Sequence, residues 1–297
     1  MSVIWLPDHL HDNRDGAGAV ARINPGVTVH LEQGYLTDEV QGRRFELDPA
    51  QVAVLHRLLA DDDAGGAALG DGDGGVLCLR ELLSYGVVRV DLPRRVRVAG
   101  WWQAVHAGDD QGLRTMRLLR EVRVLVQGWS LMSVAAACVL AVARRCRLPL
   151  LVATATAAAL ALPVTGTGVP LRVALALAAL PALVVASVGL HEAGHLYVLR
   201  RLMRDRRCGA LQFGRWKASI IRPPLDASRL LLVALAGPLF AGGTGLAGMI
   251  AFLHNPVLGP ALMVLTSWHL AGLAPLSTDG RQILRALLGH GELTLGL

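Results

Sequence analysis

Lysine is almost missing from this 297-residue chain: Lys217 is the only one, so the formal charge of +6 comes from arginine. The arginines cluster beside apolar runs and form no single basic face, a pattern suited to anchoring helices at a membrane surface. Aromatic residues make up only 4% of the chain. With no basic patch interleaved with exposed aromatics, nucleic acid is not expected as a partner. Cysteine is scarce as well. Cys78, Cys138, Cys146 and Cys208 are widely spaced and include no Cys-x-x-Cys, which argues against both a disulfide framework and a cysteine zinc site. Buried or spare thiols are the expectation. The first residues, MSVIWLPDHLHDNRDGAG, lack the basic start, apolar stretch and cleavage signal of a secretory peptide, so the N-terminal part is expected in the cytoplasm.

Apolar residues are in excess: 53% of the chain, against about 45–50% in ordinary soluble domains. The excess is uneven. Residues 1–120 mix acids, arginines and glycines, whereas beyond about Leu125 long Ala/Leu/Val runs recur at 125–143, 149–169, 171–199, 229–253 and 257–276. Each run is near or above the ~18–20 residues of a spanning helix. Pro163, Pro170, Pro181, Pro238 and Pro260 are expected to break up several of them. The fold expected is a mostly α membrane protein of about five transmembrane helices, carrying a small α+β, winged-helix-like N-terminal domain. Its parts are a soluble domain at 1–110, a juxtamembrane helix with the first apolar spans at 111–170, and a membrane core at 171–297. Arg114, Arg117, Arg120 and Arg123 fall at helical spacing before the first run and read as that juxtamembrane helix, meeting anionic headgroups.

Orientation is partly readable. Five arginines in RRLMRDRR, 200–207, follow the third run and place its C-terminal end toward the cytoplasm. Two full spans before that run would put a cytoplasmic N-terminal domain on the wrong side. Either residues 125–169 cross once in effect, or the N-terminal domain is external, or the charge rule fails here. Arginine and alanine dominate where lysine and isoleucine often would, which hints at a bacterial plasma membrane.

Within the N-terminal part, short β-like runs in VTVHLEQGYLTDEVQGRRFELD lead into a helix that Asp48 can cap, with Pro49 in its first turn. Residues 61–75 compose a flexible acidic loop, and VLCLRELLSYGVVRVDLP reads as a second helix ending near Gly86, then a strand. This order, over residues 22–92, resembles the PqqD-like peptide-recognition domains of ribosomal-peptide maturation systems. The resemblance implies capture of a precursor's leader segment as an added β-strand.

The chemistry lies in VVASVGLHEAGHLYVLRR. His191 and His195 are four residues apart, so on a helix they stand one turn apart on one face and can both ligate zinc. Glu192 lies beside them, placed to take a proton from an attacking water. Ionisable groups inside an apolar segment cost on the order of 2.5–3.5 kcal/mol each, so they normally face a functional interior. A third ligand must come from elsewhere. Downstream of Glu192 the acids are Asp205, Asp226, Asp279 and Glu292. Asp205 stands among arginines, Asp226 follows two prolines and Glu292 sits near the end. Asp279, where the fifth run ends, is the best placed, with Gly280 expected to make the tight turn that aims its carboxylate.

These residues carry a second resemblance, to the site-2 protease family of intramembrane zinc metalloproteases. Its His-Glu-x-x-His stands here as His191 to His195, its Asp-Gly as Asp279-Gly280, and its Gly-Pro as Gly237-Pro238. The asparagine and Leu-Pro that often precede the Asp-Gly are replaced by His269 and Leu-Ala-Pro. His269 is therefore either the group assisting the substrate carbonyl or a core histidine. Gly237 and Pro238 share the possible substrate-assisting role by resemblance, and residues 208–224 are expected to form a short hairpin beside the site. The resemblances together imply a multi-pass, membrane-embedded zinc endopeptidase with its active site toward the cytoplasm. It would remove the leader of a ribosomally made peptide, as membrane metalloproteases of maturation systems such as those for daptides do. The alternatives are a regulatory protease acting on a membrane-bound signalling protein and a non-proteolytic peptide exporter or immunity protein.

Overall fold

The computed structural model describes residues 20–60, 78, 81–83, 85–91, 102, 106, 122–165, 171–214 and 218–290. The chain divides into two compact units, Met1–Val124 with Gln212–Lys217, and Leu125–Leu211 with Ala218–Leu297. It is mostly helical, with small antiparallel sheets.

In the first unit, strand β1 (Val20–Ile23) pairs antiparallel with β5 (Val88–Asp91), Ile23 opposite Val88. Strands β2 (Val27–His30), β3 (Tyr35–Asp38) and β4 (Arg43–Glu46) form an antiparallel meander. Helix α1 (Pro49–Ala60) follows. Its start is fixed from both sides: Asp48 Oδ1 accepts the Gln51 N–H at 2.7 Å, and Gln51 Oε1 accepts the Asp48 N–H at 3.2 Å. That reciprocal arrangement satisfies two donors the helix leaves open. Leu36, Leu55, Leu82, Val87 and Val88 form the core. The acidic loop expected at 61–75 lies outside the described residues.

One expectation fails here. Arg123 is not on a helix facing headgroups but in strand β6 (Val122–Val124), buried, with its Nη1 donating to Asp38 Oδ2 at 2.9 Å. Asp38 Oδ1 also accepts the N–H groups of Val40 and Gln41. A carboxylate buried on β3 requires a cation, and this one outweighs the helical spacing of the arginines. Arg114, Arg117 and Arg120 lie outside the described residues.

The second unit holds five helices where the five apolar runs were read: α2 (Leu131–Arg145), α3 (Arg147–Thr165), α4 (Leu171–Met203), α5 (Ala227–Ala251) and α6 (Leu258–Ala271). A short helix, α7 (Thr278–Leu287), ends the described chain. Helices α4 and α5 are long and apolar enough to cross a membrane, while α6 is apolar but shorter. Only 17% and 39% of their most apolar windows is buried inside the protein. Pro181 and Pro238 stand inside α4 and α5 without ending them. Each removes one helical donor, a loss the flanking turns and neighbouring helices absorb.

Helices α2 and α3 scarcely break. Cys146, between them, still donates to the Val142 carbonyl at 2.9 Å, and the Leu150 N–H donates to the Cys146 carbonyl at 2.7 Å. Both pack along α4 and hardly touch each other, so they follow one another end to end. Arg144, Arg145 and Arg147 are exposed at the junction. Helix α4 packs against α2, α3, α5 and α6, and α5 packs in turn against α6 and α7. Strands β7 (Ala210–Phe213) and β8 (Ala218–Ile221) fall in the segment expected to form a hairpin and are neighbours in one sheet.

Candidate metal centre

Three side chains from two distant parts of the chain converge on one point. His191 and His195 lie on α4, where the four-residue spacing stacks them one turn apart. Asp279 is in the first turn of α7, 88 residues from His191. His191 Nε2 stands 3.1 Å from Asp279 Oδ2, His195 Nε2 stands 3.6 Å from the same oxygen, and the two Nε2 atoms are 3.2 Å apart. His191, His195 and Asp279 could together hold a metal ion. Glu192, between the histidines in sequence, is 7% exposed.

Each ligand atom is aimed by its surroundings. His195 Nδ1 lies 2.6 Å from the Val233 carbonyl on α5. A carbonyl can only accept, so the imidazole proton sits on Nδ1 and Nε2 presents its lone pair to the site. Asp279 is held by the start of α7. Ser277 caps that helix, its Oγ accepting the Gly280 N–H at 2.8 Å while donating to the carbonyls of Gly272 and Ala274. A carboxylate in the first turn also faces the positive end of the helix dipole. Asp279 would ligate as a carboxylate, the form that binds a cation.

No protein-family model, curated protein or solved structure matches this chain. The site has to be read from its own geometry.

Two glycines near it supply room. A Cβ on Gly194 would meet the Ala236 carbonyl oxygen at 2.5 Å and Phe240 Cβ at 2.9 Å, so the glycine lets α4 and α5 cross closely. A Cβ on Gly237 would overlap Nε2 of the His195 ring and stand 2.5 and 2.6 Å from its Cε1 and Cδ2. Gly237 thus touches the site through the imidazole of His195. Pro238, next to it, is buried, 3.6 Å from where a Cβ on Gly272 would fall.

Gly280 differs from its expectation. It makes no turn: it is helical, the third residue of α7, and its missing Cβ leaves space for the Ala274 carbonyl, which a side chain would overlap. Ser277 is a further functional residue, one not among the expected site residues. Its signal was available, a serine three residues before Gly280 at the head of an amphipathic segment, the usual position of an N-cap.

His269, on α6, is 6% exposed and joins the cluster from behind. Its ring lies at the edge of His191, centroids 5.1 Å apart and planes 27° apart, and its Nδ1 is 3.2 Å from His191 Nδ1. It belongs to the site's immediate surroundings, facing the side of His191 away from Asp279.

Proposed function

We propose that this protein is a membrane-embedded zinc endopeptidase of the site-2-protease type. The observation that carries the reading is the convergence of His191, His195 and Asp279 with Glu192 beside them. Tetrahedral ligands at about 2.0–2.1 Å from zinc stand roughly 3.3 Å apart, and the separations here are 3.1, 3.2 and 3.6 Å. Two imidazoles and one carboxylate are a usual catalytic zinc set, which leaves one position for the reaction. A zinc ion bound there supplies a Lewis acid that polarises a peptide carbonyl and acidifies water. Glu192 takes the proton from the attacking water and passes it to the leaving amine. His195, fixed by Val233, and Asp279, fixed by Ser277, hold their donor atoms in place throughout.

A bilayer setting is favoured by where the apolar surface lies. A core helix of a soluble protein buries its apolar face, yet most residues in the apolar stretches of α4 and α5 are at least partly exposed. Trp268, Val264 and Met263 of α6 and Ile250 of α5 are likewise exposed. The end-to-end arrangement of α2 and α3 favours a single crossing by 131–165 in effect, since α2 and α3 together run along α4 alone. Roughly 50 Å of helix exceeds the ~30 Å hydrocarbon thickness. With one crossing there, a cytoplasmic N-terminal unit and His191 and His195 near the cytoplasmic face no longer conflict.

The substrate we propose is a ribosomally made precursor peptide, its leader captured as an added strand on the β-sheet surface of residues 22–92 and removed by the zinc site. Tethering would raise the local substrate concentration. Membranes carrying the protein, given zinc and a short precursor encoded beside its gene, should cleave the peptide. Glu192→Gln should lose cleavage and keep zinc; cleavage at the unmodified rate by that variant would sink the protease reading.

A further inference from the structure

We infer that His269 is the positioning residue for His191: its unprotonated Nδ1 accepts the Nδ1–H of His191 and so turns the His191 Nε2 lone pair toward the metal. The inference rests on the zinc reading above but concerns a residue outside the ligand set.

The proton count on the two rings decides which nitrogen donates. A histidine that ligates through Nε2 must carry its proton on Nδ1, and that proton requires an acceptor. His195 has one, the Val233 carbonyl. For His191 the atom facing Nδ1 is Nδ1 of His269, 3.2 Å away. Two protonated nitrogens cannot face each other at that distance, so His269 Nδ1 must be the acceptor and the proton of its neutral ring must lie on Nε2. That nitrogen is buried and has no hydrogen-bond partner among the described residues.

The unpartnered Nε2–H bears on the alternative, a histidine that merely fills the core. Leaving a buried donor unsatisfied costs about 1–3 kcal/mol, and an apolar ring would fill the same space without it. Retaining imidazole makes sense where its other nitrogen has a task. Bulk also contributes: the ring fills the space at the edge of His191, centroids 5.1 Å apart, which limits the rotation of that imidazole about its own Cβ–Cγ bond. The ligand pair is thus aimed by two different devices, a backbone carbonyl for His195 and a second imidazole for His191.

The two contributions of His269 separate by substitution. His269→Phe keeps a ring against His191 and removes the acceptor, while His269→Asn removes the ring and restores a side-chain oxygen that can accept. Zinc affinity of the full chain in detergent, measured by competition with a chromophoric chelator, should fall 10–100-fold in His269→Phe. In His269→Asn it should recover by more than half of that loss on a logarithmic scale. Cobalt substituted for zinc gives a second readout, since a reoriented His191 ligand shifts the visible absorption bands. Wild-type affinity and an unchanged cobalt spectrum in His269→Phe would overturn the inference. Should the unmodified protein bind neither metal, the zinc reading itself would fail, which is a different result. Melting of each variant with metal chelated separates loss of folding from loss of the ligand geometry.

Discussion

Gly237→Ala tests whether His195 has anywhere else to go. The added methyl would overlap the imidazole at Nε2, the atom assigned to the metal. The ring cannot swing aside freely, because its Nδ1 is tied to the Val233 carbonyl at 2.6 Å and its surroundings bury it. Overpacking of this kind costs about 1–3 kcal/mol. Alanine is favoured over glycine in a helix by about 1 kcal/mol, so the net loss of metal-free stability should be no more than about 2 kcal/mol. On the zinc reading the effect on metal binding is larger, since one of three proposed ligands is displaced. Zinc at a hundredfold excess over Kd stabilises a folded protein by about 2.7 kcal/mol, and Gly237→Ala should lose most of that increment. Gly243→Ala is the control, on the same helix with open space where its Cβ would fall. It should melt at or above the unmodified temperature and keep the full zinc increment. Thermal melts with and without zinc, in detergent, read both quantities. A Gly237→Ala protein with an undiminished zinc increment would refute the assignment of His195 Nε2 as a ligand.

Three further predictions concern parts away from the metal. Asp38 and Arg123 are 0% and 3% exposed at their side chains. Replacing either alone with alanine should therefore cost about 3–5 kcal/mol, while replacing both with leucine or methionine should cost clearly less, as denaturant melts would measure. Arg200 is buried at the end of α4 and donates to three backbone carbonyls, of Cys208, Gly128 and Val126 at 3.2, 2.9 and 2.6 Å. Charged hydrogen bonds contribute about 1.5–3 kcal/mol each, so Arg200→Ala should cost at least about 3 kcal/mol and speed hydrogen exchange around 126–130; Lys, with no planar fork, should rescue only part. Burial pushes the Cys208 thiol from 9.0 up to about 11, with Asp205 adding to the rise and Arg200 opposing it. The unfolded thiol ionises first, so its contribution to stability is lost as pH rises from about 9 to 11, and Cys208→Ala should flatten that part of the profile.

Some of this was open to the sequence because the cause was local. His191, Glu192 and His195 are set by helix periodicity alone, and Asp48 is a cap that its neighbours announce. Asp279 was reachable by elimination, since few carboxylates follow the histidines. Arg123 was not reachable. Its helical spacing with three other arginines is a local pattern, whereas the buried carboxylate that claims it lies 85 residues earlier. The prolines misled for the same reason. Pro181 and Pro238 would end an isolated helix, but the helices they stand in also pack against neighbouring helices. His269 reads in sequence as a substrate-assisting group or a core histidine; the positioning role inferred above is neither, and it depends on a nitrogen facing another nitrogen across two helices.

The glycines carry the remaining lesson about how this site is made. In sequence a glycine signals a turn, because the signal available there is conformational freedom. At Gly194, Gly237 and Gly280 the backbone is helical, and what glycine contributes is absence of bulk. Gly194 precedes His195 and lets α4 meet the backbone of α5; Gly237, on α5, lets the His195 ring lie against it; Gly280 follows Asp279 and makes room for the Ala274 carbonyl. Each of the two chain segments that would supply ligands therefore has a glycine adjacent to a candidate ligand, where another stretch of backbone comes close. A site whose donor atoms must stand within a few tenths of an ångström of their ideal separations requires backbones that approach closely and stop at a fixed distance. Direct contact with a backbone or a pinned ring gives a harder stop than flexible side chains can. That is why methyl groups at 194, 237 and 280 should each disturb the metal site more than truncation of any exposed residue on the same helices.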